Sequence, residues 1–138
     1  LWTAENIALT QIKYPSAAPR LKPGVEYSWL IEKKGFPAEK ARFMVLTPTE
    51  VKPIQEQLKS LEGAGGISKT TLTVLKAGLF LSHGLFYEAR EILAEAVTAD
   101  PDEPTVHLLL GETYEKTGLK NLALEEYGEA QFLSRISQ

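Results

Sequence analysis

The second half of the chain repeats itself at a distance of 34 residues. Under that shift Phe80 meets Tyr114, Gly84 meets Gly118, Ala89 meets Ala123 and Ala96 meets Ala130. One copy reads Thr73-x2-Lys76-Ala77-x2-Phe80, then Ala89-x3-Leu93, then Ala96 and Pro101. The next reads His107-x2-Leu110-Gly111-x2-Tyr114, then Ala123-x3-Tyr127, then Ala130. Small and large residues alternate at helical spacing, and a glycine falls at the same place in each copy, Gly84 and Gly118. A repeat of this length cannot bury its apolar face alone, so the copies must stack on one another.

The spacing predicts four helices, over 69–83, 86–99, 103–117 and 120–134. Ser68 is the expected N-cap of the first and Asp102 of the third. Gly84 and Gly118 fall at the turn inside each pair. Ala77 and Gly111 are small enough to let paired helices approach, as are Ala89, Ala96, Ala123 and Ala130 on the partner helices. Phe80, Tyr114 and Tyr127 then fill the space between.

Over residues 68–134 this pattern resembles the tetratricopeptide repeat family, whose signature runs W-x2-L-G-x2-Y, then A-x3-F, then P. Lys76 stands where Leu is usual, Thr73 and His107 where Trp is usual, and Arg135 where the closing Pro is usual. The resemblance implies a fragment of a right-handed α-solenoid that binds proteins. In such arrays the first helix of each pair lines a concave groove. The groove positions here are Thr71, Val74, Gly78 and Leu81, then Thr105, Leu108, Glu112 and Glu115. One subclass of the family clamps acidic chaperone tails with Lys and Asn. Val74, Gly78, Leu108 and Glu112 suit an apolar or basic helix or extended segment instead. About three repeats normally make an independent stack, so the ends need cover. A helix over 48–62 is expected beside the first repeat helix as a cap. The C-terminal end is expected to expose Leu122, Tyr127 and Leu133, a patch suited to homodimerisation.

The first half is punctuated by Pro15, Pro19, Pro23, Gly24, Gly35 and Pro37. Residues 25–31 place Val25, Tyr27, Trp29 and Ile31 on one face at period two and predict a strand with Trp29 in a core. Residues 41–46 predict a second, 11–14 a third and 1–4 a fourth. Pro23-Gly24 suits a tight turn with Gly24 at positive φ. The phrase Leu21-x-Pro23-Gly24-x-x-Tyr27-x-Trp29, over roughly 10–47, resembles the later strands of a fibronectin type III or immunoglobulin-like sandwich. The resemblance implies that Tyr27 is a corner tyrosine. Thr47-Pro48-Thr49-Glu50 then reads as a capping box and helix start, with Lys52-Pro53 as the alternative start. Ile54, Leu58 and Leu61 share one face of that helix, and Gly63-Ala64-Gly65-Gly66 ends it as a linker.

Charge and composition narrow the function. Residues 1–66 carry 9 Lys/Arg against 7 Asp/Glu, and residues 67–138 carry 6 against 11. An acidic helical half disfavours nucleic acid, which requires clustered cations. There is no Cys, so disulfides and thiolate metal sites are excluded. No apolar run approaches the ~20 residues that span a bilayer. The start, Leu1-Trp2-Thr3-Ala4-Glu5, has neither the basic nor the apolar segment of a signal peptide, and Leu1 in place of Met is expected of a fragment of a longer protein.

Candidate chemistry is sparse. Gly63-Ala64-Gly65-Gly66-Ile67-Ser68-Lys69-Thr70 misses the second glycine of a phosphate loop and follows a helix instead of a strand. Asp100, Asp102 and Glu103 lack the twelve-residue ladder of a calcium loop and read as a turn with a cap. Glu112, Glu115, Glu125, Glu126 and Glu129 read as solvated carboxylates, His107 as a core residue in an aromatic slot, and His83 as a surface residue near a helix C-terminus. No cofactor is implied.

The expected fold is therefore α+β. A small antiparallel β-unit (1–47) leads through a linking helix and linker (48–67) to two helical hairpins (68–138). The expected function is a non-enzymatic adaptor or scaffold that binds a protein or peptide, within a bacterial-type protein. The rival is a structural or envelope-associated sandwich unit whose hairpins brace it or dimerise it.

Overall fold

The computed structural model describes residues 2–8 and 12–137. In chain order it contains β1 (Glu26–Ile31), β2 (Glu39–Met44), α1 (Pro48–Gly63), α2 (Lys69–Ser82), α3 (Phe86–Ala99), α4 (Pro104–Lys116) and α5 (Lys120–Ile136). The class is α+β, with one two-stranded sheet followed by helices. The chain divides into two compact units, Leu1–Pro53 and Ile54–Gln138.

In the first unit β1 and β2 pair antiparallel, with Glu26 opposite Met44 and Ile31 opposite Glu39. Tyr27 lies opposite Phe43 and their rings stack, centroids 5.6 Å apart. Such cross-strand aromatic pairs are what hold a short ribbon together. Gly24 makes the expected turn at φ +73°, and its N–H donates to the Val45 carbonyl at 2.7 Å. The Tyr27 hydroxyl accepts the Lys22 N–H at 2.7 Å, a bond back to upstream backbone of the kind a corner tyrosine makes.

Among the described residues the larger sheet expected from the sequence is not formed. Residues 2–4 and 12–14 carry no strand, and residues 1 and 11 of those segments lie outside the described residues. The second strand spans 39–44 instead of 41–46, because its ladder continues until Glu39 meets Ile31. With only two strands, the period-two face of β1 has no second layer among the described residues of this unit. Trp29 is accordingly 45% exposed, not a core residue, and Leu30 and Ile31 are exposed with it.

Helix α1 opens as the capping box predicts. The Thr47 N–H donates to Glu50 Oε2 at 2.8 Å and the Glu50 N–H to Thr47 Oγ1 at 3.4 Å. The Thr47 N–H bond, with a second from the Thr47 hydroxyl to the same Oε2 at 2.7 Å, holds the exposed Glu50 carboxyl below its ordinary pKa. Pro48 starts the helix, so Pro53 lies inside it. Pro53 forfeits one bond, to Thr49, and the helix continues past it.

In the second unit α1 buries Ile54 and half-buries Leu58 and Leu61, the predicted stripe. Glu62 pairs with Lys76 at 2.5 Å, and Gln57 bonds His83 at 3.3 Å. Since 62 meets 76 and 57 meets 83, α1 runs antiparallel to α2.

The two hairpin turns are the same structure made twice. After α2, the Leu85 N–H donates to the Phe80 carbonyl at 2.8 Å and the Gly84 N–H to Leu81 at 3.1 Å. After α4, Leu119 donates to Tyr114 at 2.8 Å and Gly118 to Glu115 at 3.1 Å. This pair of bonds closes a helix only around a residue in the left-handed region, and Gly84 and Gly118 supply φ +70° and +81°. Ser68 caps α2 by accepting the Thr71 N–H at 3.0 Å. The cap of α4 is Glu103, not Asp102. Pro104 fixes the first helical residue, and the residue before it takes the extended conformation of a cap.

Packing follows the small residues. Ala77, Ala89, Leu93, Val106 and Leu110 form the buried cluster. Helix α4 packs on both α2 and α3, so the second hairpin is seated on the first through its leading helix, and α5 packs on α4. Gly111 is buried where α4 meets α5. A Cβ there would lie 2.7 Å from two carbons of the Tyr127 ring and 3.3 Å from the Ala123 carbonyl.

Two glycines make opposite predictions. Gly111→Val overpacks the α4–α5 contact and is expected to cost about 2 kcal/mol. Gly78 has nothing within 4 Å of an added Cβ, so Gly78→Ala is expected to gain up to about 1 kcal/mol from helix propensity. Urea unfolding of both variants checks the pair.

Candidate functional site

The eight groove positions lie on two helices that pack together, α2 and α4. Thr71, Val74, Gly78 and Leu81 are spaced by three, four and three residues along α2, and Thr105, Leu108, Glu112 and Glu115 likewise along α4. Each set therefore occupies one face of its helix. Thr71 and Gly78 are exposed, whereas Val74 and Leu81 are half-buried against the core cluster. On α4, Thr105, Leu108 and Glu115 are exposed and Glu112 is half-buried.

The structure draws only part of this set into a concavity. Thr105 and Leu108 line a depression of about 280 Å³ between α4 and α5, with Pro104, Tyr127, Ala130 and Gln131. The four α2 positions do not line it. Gln131 and Ser134, which do, were absent from the sequence-derived set. Their signal was their place one and two turns after Tyr127 on the same helix. Leu108 is 51% exposed, which is high for an apolar side chain on a packed helix.

Tyr127 links the depression to the acidic residues of α4. The Tyr127 hydroxyl donates to Glu115 Oε2 at 2.7 Å. That bond, with lesser effects of burial and of the Glu115 and Glu112 charges, pushes the Tyr127 pKa up to about 12. Among the described residues no cation pairs with Glu112 or Glu115. An apolar floor beside uncompensated carboxylates favours a ligand that is apolar on one side and cationic on the other.

Three sequence expectations are corrected around α5. Glu126 is not merely solvated: it is partly buried and its Oε2 lies 2.6 Å from His107 Nδ1. His107 is buried as expected, but as a polar link and not as a packing aromatic, since its Nε2 also bonds the Pro101 carbonyl at 2.8 Å. Leu133 is buried at 4% exposure, because it lies on the inward face of α5 with Ala123 and Ala130. Leu122 is exposed and Tyr127 half-buried. His83 is exposed at the C-terminal cap of α2.

No group of three or more His, Asp or Glu that could hold a metal occurs among the described residues. Nor is any described helix long and apolar enough to cross a membrane. No protein-family model matches the chain, and no curated protein matches it either.

Replacing Glu115 by Gln removes the main cause of the Tyr127 shift. In the wild type Tyr127 is expected to ionise at about 12. In Glu115→Gln it is expected to move back toward the ordinary value near 10. Ring-carbon NMR of labelled tyrosine against pH checks this.

Proposed function

We propose that the helical unit is a non-catalytic protein-interaction module of the tetratricopeptide type, which receives a peptide or helix of a partner protein across α4. The observation that carries this reading is the exposed Leu108 in a depression that Tyr127 links to the Glu115 carboxylate. An apolar anchor of the partner would enter against Leu108 and Ala130, and Lys or Arg beside it would meet Glu112 and Glu115. Amphipathic helices bind grooves in this manner, with anchors spaced by three and four residues. The repeated turn geometry and the small residues at Ala77, Gly111, Ala89 and Ala123 support the family reading. The acidic balance of residues 67–138 argues for a protein partner over nucleic acid.

A second reading is favoured by α5. Leu124, Phe132 and Ile136 are each more than half exposed on it. Apolar side chains outside the packed face mark a contact surface, which suits a bracing or homodimerising role within a structural protein.

Affinity capture from source-cell lysate with the wild type and Leu108→Arg separates the two readings. Leu108 is half exposed, so the substitution is expected to leave stability within about 0.5 kcal/mol. The groove reading predicts a protein held by the wild type and lost by Leu108→Arg. Identical captures, with self-association abolished by Phe132→Glu in light scattering, would overturn it in favour of the second reading.

A further inference from the structure

We propose that His107 and Glu126 form a proton-dependent latch that fastens α5 and the α3–α4 turn to α4, and that loosens as pH rises. The geometry leaves little choice of protonation. The Pro101 carbonyl can only accept, so Nε2, at 2.8 Å, carries a proton. Nδ1 lies 2.6 Å from a Glu126 carboxylate oxygen, which also accepts when ionised. Both short contacts are satisfied at once when an imidazolium faces a carboxylate. Neutralising the ring sends the Nδ1 proton to solvent and sets a nitrogen lone pair against the carboxylate oxygens.

The His107 side chain is only 6% exposed, so water cannot readily replace the lost bond. Three elements meet on it: Pro101 from the turn after α3, His107 itself on α4, and Glu126 on α5. The charges acting on the ring are Glu126 and Glu129, both from α5 and both negative. The cation of α3 in this region, Arg90, acts on the neighbouring Tyr114 hydroxyl, which also feels Glu126. Burial by itself would lower the His107 pKa. The bonds to Glu126 and Pro101 and the two carboxylate charges outweigh it, and the pKa lies above its ordinary value. A folded-state pKa raised in this way contributes stability that is complete below the unfolded value, about 6.5, and is lost as pH rises through the folded value. The first hairpin has no such device, because Thr73 and Ile92 occupy the equivalent positions. Helix α5 also carries Tyr127 and Ala130, which line the depression. Loosening the latch therefore alters that surface.

The test follows the two histidines of the full chain by imidazole NMR between mildly acidic and mildly alkaline pH, assigned with His83→Gln. Amide exchange of α5 is recorded over the same range, corrected for intrinsic rates. The wild type is expected to show His107 titrating above 6.5. Protection of α5 is expected to fall with rising pH by up to about tenfold per unit of that elevation. In Glu126→Gln the side-chain amide can donate to a neutral Nδ1. There His107 is expected to titrate below its ordinary value, and α5 protection is expected to lose its dependence on pH. A wild-type His107 that titrates at or below the ordinary value overturns the proposal, as does an equal fall of α5 protection in the variant. If Glu126→Gln fails to fold, the wild-type titration alone decides.

Discussion

The Tyr127 ring lies where a side chain on residue 111 would have to be. Because Gly111 presents only hydrogen, the ring fills the seam between α4 and α5 and brings the Ala123 backbone within van der Waals range of α4. Much else depends on that approach. Ala123 and Ala130 become buried, and Leu133 turns inward below them. The Tyr127 hydroxyl emerges at the far side of the ring, where it reaches Glu115. With one side of α4 closed by α5, Val106 and Leu110 on another side complete the core shared with Ala77, Ala89 and Leu93. The hairpin and the stack are thus set by one size relation, large against none, repeated in milder form by Leu93 and Ala77 at the equivalent positions.

Differences between the two copies have a physical order. His107 and Leu110 are buried where α4 meets the preceding hairpin. Their counterparts, Thr73 and Lys76, line a shallow mixed-charge depression of about 160 Å³ on α2 and α3. Lys76 there finds Glu62 of α1. Among the described residues no equivalent hairpin precedes α2, and polar residues take the positions that one would have covered. The same slot holds a hydroxyl in one copy and a bonded imidazole in the other, so stacking alone does not account for His107. Its two acceptors do, since an aromatic hydrocarbon there would leave the Pro101 carbonyl and the Glu126 carboxylate without this partner.

The helical half was legible in the sequence because local rules and packing agree there. Glycines at a 34-residue interval fix both turns, Ser68 and the Thr47–Glu50 box fix helix starts, and small residues mark the seams. The helix ends fall within a residue or two of their expected places. Asp102 failed as a cap because the preference for Asp competes with the stricter demand of Pro104, one residue after Glu103. The β-unit was less legible. Alternation in residues 25–31 correctly signals a strand, but alternation states only that two faces differ, not that anything covers one of them. Trp29 was therefore misplaced. At the candidate site, sequence spacing identified the faces of α2 and α4. It could not show which portion is concave, because Gln131 and Ser134 come from another helix. Nor could it pair His107 with Glu126, nineteen residues away.

The α4–α5 seam depends on direct packing of Tyr127 on Gly111, and a double-mutant cycle between them tests that packing most directly. The four proteins are the wild type, Gly111→Ala, Tyr127→Leu and the double variant, compared by chemical denaturation. Added bulk at 111 should destabilise while the ring is present, by about 1 kcal/mol net of the helix-propensity gain. Once the ring is removed, the same change should be neutral or stabilising. Residues in contact show coupling of about 0.5–3 kcal/mol, and a value in that range is the predicted result. Additivity within about 0.3 kcal/mol, with Gly111→Ala stabilising in both backgrounds, would contradict the close approach of α4 and α5 on which the fold and the proposed site depend.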